Sequence, residues 1–228
     1  APRIKAGPPT AYVSTNGSHT FPFDSWAKAA TNIQTAVDAG AAGATNFTTV
    51  FVSNGVYVLS TQILLDDGLT VRSMNGPGAT VVRAAGGAPA FNNRCFHINH
   101  ANAIVDGFTL TNGYIRHATY GGDNGGGAVL LAGTLQNCLV VGNRAYGESG
   151  DARGYGGGGI GLHGSGGVVR NCVITRNHVN DNGGDSAGGG GIWVNGSNWR
   201  IENCTIVSNY AAGHTSVGAG GGIFVYTP

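Results

Sequence analysis

Apolar positions along this chain come in short runs, and from Phe96 onward the runs keep a fixed beat. Ala128-Val129-Leu130, Ile160-Gly161-Leu162, Ile192-Trp193-Val194 and Ile223-Phe224-Val225 each follow three glycines: Gly125–Gly127, Gly157–Gly159, Gly189–Gly191 and Gly220–Gly222. Their first apolar positions lie 32, 32 and 31 residues apart. Asn137-Cys138, Asn171-Cys172 and Asn203-Cys204 recur in step, and six residues after each Asn stands another: Asn143, Asn177 and Asn209. A fixed period of this size predicts a solenoid, in which each repeat stacks only on its neighbours.

The pattern predicts three strands per coil. One follows the glycines, a second resembles Val168-Val169-Arg170, and a third resembles Cys172-Val173-Ile174. The Asn before each Cys sits at the tight corner between second and third strands, where it tolerates a left-handed backbone. Cys138, Cys172 and Cys204 should stack in one inward column, beside Ile98, Leu130, Leu162, Val194 and Val225. The Asn137–Asn171–Asn203 column should be a buried amide ladder, and Asn143–Asn177–Asn209 a looser one. Long segments 111–124, 143–156, 177–188 and 209–219 join the third strand to the next glycines and should all emerge along one side.

Ahead of the repeats, Trp26, Ala30, Ile33, Ala36 and Val37 fall at three- and four-residue spacing. They predict an amphipathic helix over about Trp26–Ala39, capped by Asp24 or Ser25 and closed by Gly40. Residues 1–45 thus form an extended segment and a capping helix, covering a sheet edge that would otherwise lie open. Residues 46–228 form the β-solenoid, with no recognisable cap at its C-terminal end. The fold class is all-β, a right-handed parallel β-helix with an N-terminal helical cap.

Composition narrows the function. The 228 residues include 42 glycines but few charges, with a net charge of +1 and lysines only at 5 and 28. There is no basic stripe for nucleic acid and no apolar run long enough to span a membrane as a helix. The glycines sit at fixed offsets from strands, as backbone devices at bends where a left-handed conformation or close approach is needed.

Val50-Phe51-Val52-Ser53-Asn54-Gly55-Val56-Tyr57, Val71-Arg72-Ser73-Met74-Asn75-Gly76-Pro77, Ala103-Ile104-Val105-Asp106-Gly107-Phe108-Thr109 and Asn203-Cys204-Thr205-Ile206-Val207-Ser208-Asn209 resemble right-handed parallel β-helix repeat proteins of the pectate-lyase-like superfamily. They are most similar to bacterial secreted or surface proteins with polymorphic-outer-membrane-protein-like repeats. The resemblance spans about residues 46–226 and implies export to the cell surface or beyond. It carries over no catalytic motif, because lyases, adhesins and spacers share these repeats.

A polysaccharide lyase needs a base, and the repeats contain no lysine; Arg144, Arg153, Arg170 and Arg176 are too strongly basic to serve as one. No carboxylate pair stands out for hydrolysis. The long segments carry Asp123, Glu148, Asp151, Asp181 and Asp185, candidate oxygen ligands for calcium. Tyr146 and Tyr155 lie beside them, candidates for stacking on sugar rings. The expected function is a non-catalytic extracellular or cell-surface shaft, adhesin or self-assembling fibre unit; the alternative is a carbohydrate-active protein, a lyase or glycan-binding module. No cofactor is required, with calcium the candidate ion. Expected partners are polysaccharide or the chain itself, added head-to-tail with Tyr12-Val13-Ser14 meeting Ile223-Phe224-Val225. Asn16, Asn46 and Asn195 open glycosylation triplets.

Overall fold

The structure is a computed structural model that describes residues 10–41, 48–85, 93–117, 125–147, 156–181, 188–212 and 220–226. A first strand β1 (Thr10–Val13) and a helix α1 (Ile33–Ala41) precede the coils. Then follow β2 (Thr49–Val52), β3 (Gly55–Leu59) and β4 (Ile63–Leu65), and β5 (Thr70–Ser73), β6 (Thr80–Ala84) and β7 (Phe96–Ile98). Four-strand coils come next: β8 (Ile104–Asp106), β9 (Thr109–Thr111), β10 (Tyr114–His117) and β11 (Ala128–Leu130). The next comprises β12 (Thr134–Gln136), β13 (Leu139–Val141), β14 (Arg144–Gly147) and β15 (Ile160–Gly164). β16 (Gly167–Arg170), β17 (Val173–Thr175), β18 (His178–Asp181) and β19 (Ile192–Gly196) repeat it, as do β20 (Trp199–Glu202), β21 (Thr205–Val207), β22 (Tyr210–Ala212) and β23 (Ile223–Val225).

All strand pairs are parallel, and they assemble into three long sheets that form the walls of a β-solenoid. The three strands per coil read from sequence are these walls. A fourth sheet, β10-β14-β18-β22, is added where unbroken loops were expected. Inward columns are dry: Ile98, Leu130 and Leu162 are fully buried and in register with Val194 and Val225. Val225 departs from the expected column by being 59% exposed, because among the described residues no strand stacks beyond β23.

Two amide columns run down the coils, and their roles are the reverse of the expectation. Asn137, Asn171 and Asn203 hold left-handed φ angles of 54°, 53° and 50°, but their side chains are exposed. Asn171 donates to Asn137 Oδ1 over 3.3 Å, and Asn137 donates to Asp106 Oδ1 over 2.7 Å. Asn143 and Asn177 are buried at 1% exposure. The Asn177 Oδ1 accepts both the backbone N–H and the Nδ2–H of Asn143, each at 3.0 Å, while Asn177 Nδ2 donates to Val140 O. Asn209 repeats the pattern beneath Asn177, and Asn143 Oδ1 accepts the Gly113 N–H above. Asn177 spends both N–H groups and both lone-pair directions on adjacent coils, so its burial leaves nothing unsatisfied. The exposed column turns the corner; the buried column ties the coils.

The glycines serve close approach. A Cβ on Gly127, Gly159 or Gly191 would stand 2.9, 2.9 or 3.0 Å from Nδ2 of Asn143, Asn177 or Asn209. A Cβ on Gly158 would meet the Gly190 carbonyl oxygen on one side and the His178 backbone at 2.6 Å on the other. The expected thiol column forms, with Cys138 and Cys172 buried and Cys204 partly so.

At the N-terminal end the helix starts later than expected. Ala29 N–H turns back to Trp26 O, Ala30 pairs with β1, and Thr31 N–H donates to His19 Nδ1 at 3.0 Å. Those amides are therefore lost to a helical ladder, and Asn32 rather than Asp24 or Ser25 caps α1 by accepting Thr35 N–H at 3.3 Å. Gly40 lies within the helix instead of ending it. The outer edge of β1 is occupied: Tyr12 N–H donates to Phe23 O, and Tyr12 O accepts Ala30 N–H. This strand accordingly lacks the free edge that head-to-tail pairing with Ile223–Val225 requires. Gln34 reaches β4, accepting Leu64 N–H at 2.7 Å and donating to Leu64 O at 3.3 Å.

Asn177→Leu should cost on the order of 3 kcal/mol, because it strands buried amide groups in two coils, whereas Asn171→Ala should cost about 1 kcal/mol or less. Gly158→Ala should cost at least as much as Asn177→Leu, its Cβ meeting backbone on both sides. Urea denaturation measures all three, and equal losses for the two asparagine variants would contradict the assignment of ladder and corner.

Candidate binding flank

The residue after each ladder position enters the fourth sheet at the same height. Tyr114, Arg144, His178 and Tyr210 lie side by side, followed two residues on by Arg116, Tyr146, Asn180 and Ala212. Between them Ile115, Ala145 and Val179 are buried, so alternation places the two polar columns on the opposite face. The result is a ledge four strands wide, built from tyrosine, arginine and histidine.

Tyr146 is its centre. The Arg116 and Arg144 guanidinium carbons lie 5.9 and 5.8 Å from its ring centroid, within cation–π range. His178 and Tyr210 rings are 4.8 Å apart. Burial first, and then the positive charge of Arg144, push the His178 imidazole below its ordinary range. Arg144 Nε and His178 Nε2 are enclosed without a hydrogen-bond partner. Guanidinium groups set beside an aromatic face suit a ligand with oxygen acceptors and an apolar ring face.

Of the residues singled out from sequence, Tyr146 is brought into this ledge. Asp123, Glu148, Asp151, Asp185 and Tyr155 lie outside the described residues; Asp181 ends β18, and only its backbone is described. Tyr114, Arg116, His178 and Asn180 have no place in the sequence reading, and Arg144 enters it only as an arginine too basic to act as a base. The available signal was their constant offset: Arg144, His178 and Tyr210 each directly follow a ladder asparagine.

Other chemistry is poorly provided. Among the described residues no group of three or more His, Cys, Asp and Glu side chains is arranged to hold a metal ion. Asp106 is the one buried carboxylate among them, and it is engaged by Asn137 and by Arg72 at 3.4 Å. Burial pushes the Cys95 thiol up to about 12, and a hydrogen bond to the neighbouring thiol, with burial, raises Cys172 and Cys204. Such thiols are poor nucleophiles at neutral pH. No helix among the described residues is long and apolar enough to cross a membrane. Set against family models, curated proteins and solved structures, the chain matches none of them.

Because its folded pKa is depressed, His178 binds its proton more readily in the unfolded chain. Its contribution to stability is complete above about pH 6.5 and is lost as pH falls through that value toward the folded pKa. NMR titration should place His178 below 6.5, and Arg144→Gln should move it upward. A value at or above 6.5 in the unmodified protein would remove Arg144 and burial as its controlling neighbours.

Proposed function

We propose that this protein is a non-catalytic β-solenoid shaft that works outside the cell or at its surface as an adhesin, holding a polysaccharide against the fourth-sheet flank. One observation carries the reading: Tyr146 is flanked by Arg116 and Arg144 on a ledge that continues across four coils. A polymer lying along the coils would meet the arginines and Tyr146 and, at further steps of about 4.8 Å, the polar and aromatic side chains of His178, Asn180 and Tyr210, which gives several weak contacts rather than one deep pocket. The guanidinium groups favour saccharides bearing carboxylate or sulfate.

The carbohydrate-active alternative shares this ligand class, and the ledge supports its glycan-binding form over its lyase form. The ledge's cations are the arginines, too strongly basic to take up a proton, and the coils contain no lysine. Calcium enters the proposal through the acids of the long segments, because Asp123, Glu148, Asp151, Asp181 and Asp185 supply the hard oxygens this ion prefers. Self-association belongs to it through the other end: Val225, inward-facing in register with buried Leu162, is 59% exposed on the last described coil, and a further coil or a second copy would cover it.

Retention on immobilised pectate, alginate and heparin tests the reading. At least one should retain the protein, with Arg144→Ala and Tyr146→Ala each weakening retention about tenfold, equivalent to about 1.4 kcal/mol. No unsaturated product should absorb at about 235 nm, the ultraviolet signature of an eliminated uronate, which needs a general base. Product formation lost with Arg144 would instead establish a lyase, and indifference of both variants would remove the flank as the binding surface.

A further inference from the structure

At the N-terminal end lies a second concave surface, where the turn leaving β1 meets the corner after β2 and the corner after β5. It is an open cleft of about 430 Å³ that includes Asn16, Trp26, Asn54, Met74 and Asn75, with serine and threonine completing its lining. No ionisable side chain contributes to it. Trp26 and Met74, both large and apolar, remain 42% and 47% exposed there. Burying them would be favourable, and neither packs into the solenoid core.

Internal contacts hold parts of the cleft. Trp26 is held edge-on by Tyr12, with ring centroids 4.6 Å apart and planes at 61°. Asn75 Nδ2 donates to Asn54 Oδ1 at 2.8 Å, which fixes both carboxamides across two coils. That bond leaves the Asn54 Nδ2 donors and the Asn75 Oδ1 acceptor unused. Asn16 contributes only its backbone N–H to an internal bond, so its carboxamide is also unspent. An indole wall, a thioether, two carboxamides bonded to each other and a third unbonded one, all without charge, form one surface.

We infer that this cleft is a binding site for a neutral sugar ring. The C–H face of a pyranose lies on Trp26 and against Met74, while its hydroxyls donate to Asn75 Oδ1 and accept from Asn54 Nδ2 and Asn16. The absence of a cation in the lining disfavours uronates and sulfated sugars, whose charge would be desolvated with no partner. The cleft is separate from the fourth-sheet flank, which begins at Tyr114, and it does not depend on that flank's proposed role. Its volume suits one or two rings, within the range of small-ligand sites.

Saturation-transfer NMR with methyl glycosides of the common neutral hexoses and pentoses, alongside the matching uronates, tests the site. At least one neutral glycoside should receive saturation, with Kd on the order of 1 mM and about tenfold weaker binding by Trp26→Ala. Because Trp26→Ala also removes the Tyr12 contact, Asn54→Ala and Asn75→Ala provide variants on the exposed corner, each expected to weaken binding at least about threefold, or about 0.7 kcal/mol. Transfer to none of the neutral glycosides would overturn the inference. So would uronates binding equally well, or binding unchanged in both asparagine variants.

Discussion

The structure depends on one packing constraint: a buried carboxamide can sit inside the coil wall only if the backbone opposite has no side chain. Asn143, Asn177 and Asn209 each press against the third glycine of a triplet, at distances that a Cβ would occupy. In return Asn143 and Asn177 each bond two neighbouring coils, and Asn209 bonds the one above it, which fixes the height of the chain as it leaves the third strand. The glycine triplet and the ladder asparagine are therefore one device. Either half alone would be costly: glycine is a weak strand former, and a buried amide without partners is destabilising.

The function proposed for the flank follows from this device. With the exit height fixed, the next residues of successive coils pair in register, and a fourth sheet forms at the base of the long segments. Its buried column, Ile115, Ala145 and Val179, stays apolar, whereas the opposite face carries Tyr114, Arg144, His178 and Tyr210. A regular backbone thus displays irregular side chains. The N-terminal cleft arises differently, from the cap: the segment between β1 and α1 folds back over the outer edge of β1 and brings Trp26 beside the first corners.

Much of the fold was legible because its causes are periodic. The glycine triplets, the apolar runs after them and the Asn-Cys corners identify a parallel solenoid, and the thiol column follows from their register. What the sequence hid was local competition for backbone groups. Trp26 and Ala30 carry a helical spacing, yet β1 and His19 take the amides that a helix would need. The two asparagine columns look alike in a list of letters. They differ because a left-handed corner residue points its side chain outward, whereas the residue following the left-handed Gly142, Arg176 or Ser208 points inward. Of the site residues proposed from sequence, Tyr146 joins the ledge; Arg144 stands two residues before it on β14, whereas Arg116 reaches it only because β10 pairs with β14.

Side-chain amide exchange tests the buried ladder most directly. The Nδ2 protons of Asn143 and Asn177 should exchange as slowly as the strand N–H groups of β13 and β17, since both are spent on neighbouring coils away from water. The Nδ2 protons of Asn137 and Asn171, on the exposed corner, should exchange at rates close to those of a solvated amide. Equally fast exchange in the two columns would contradict the account, because no carboxamide would then be tying the coils together.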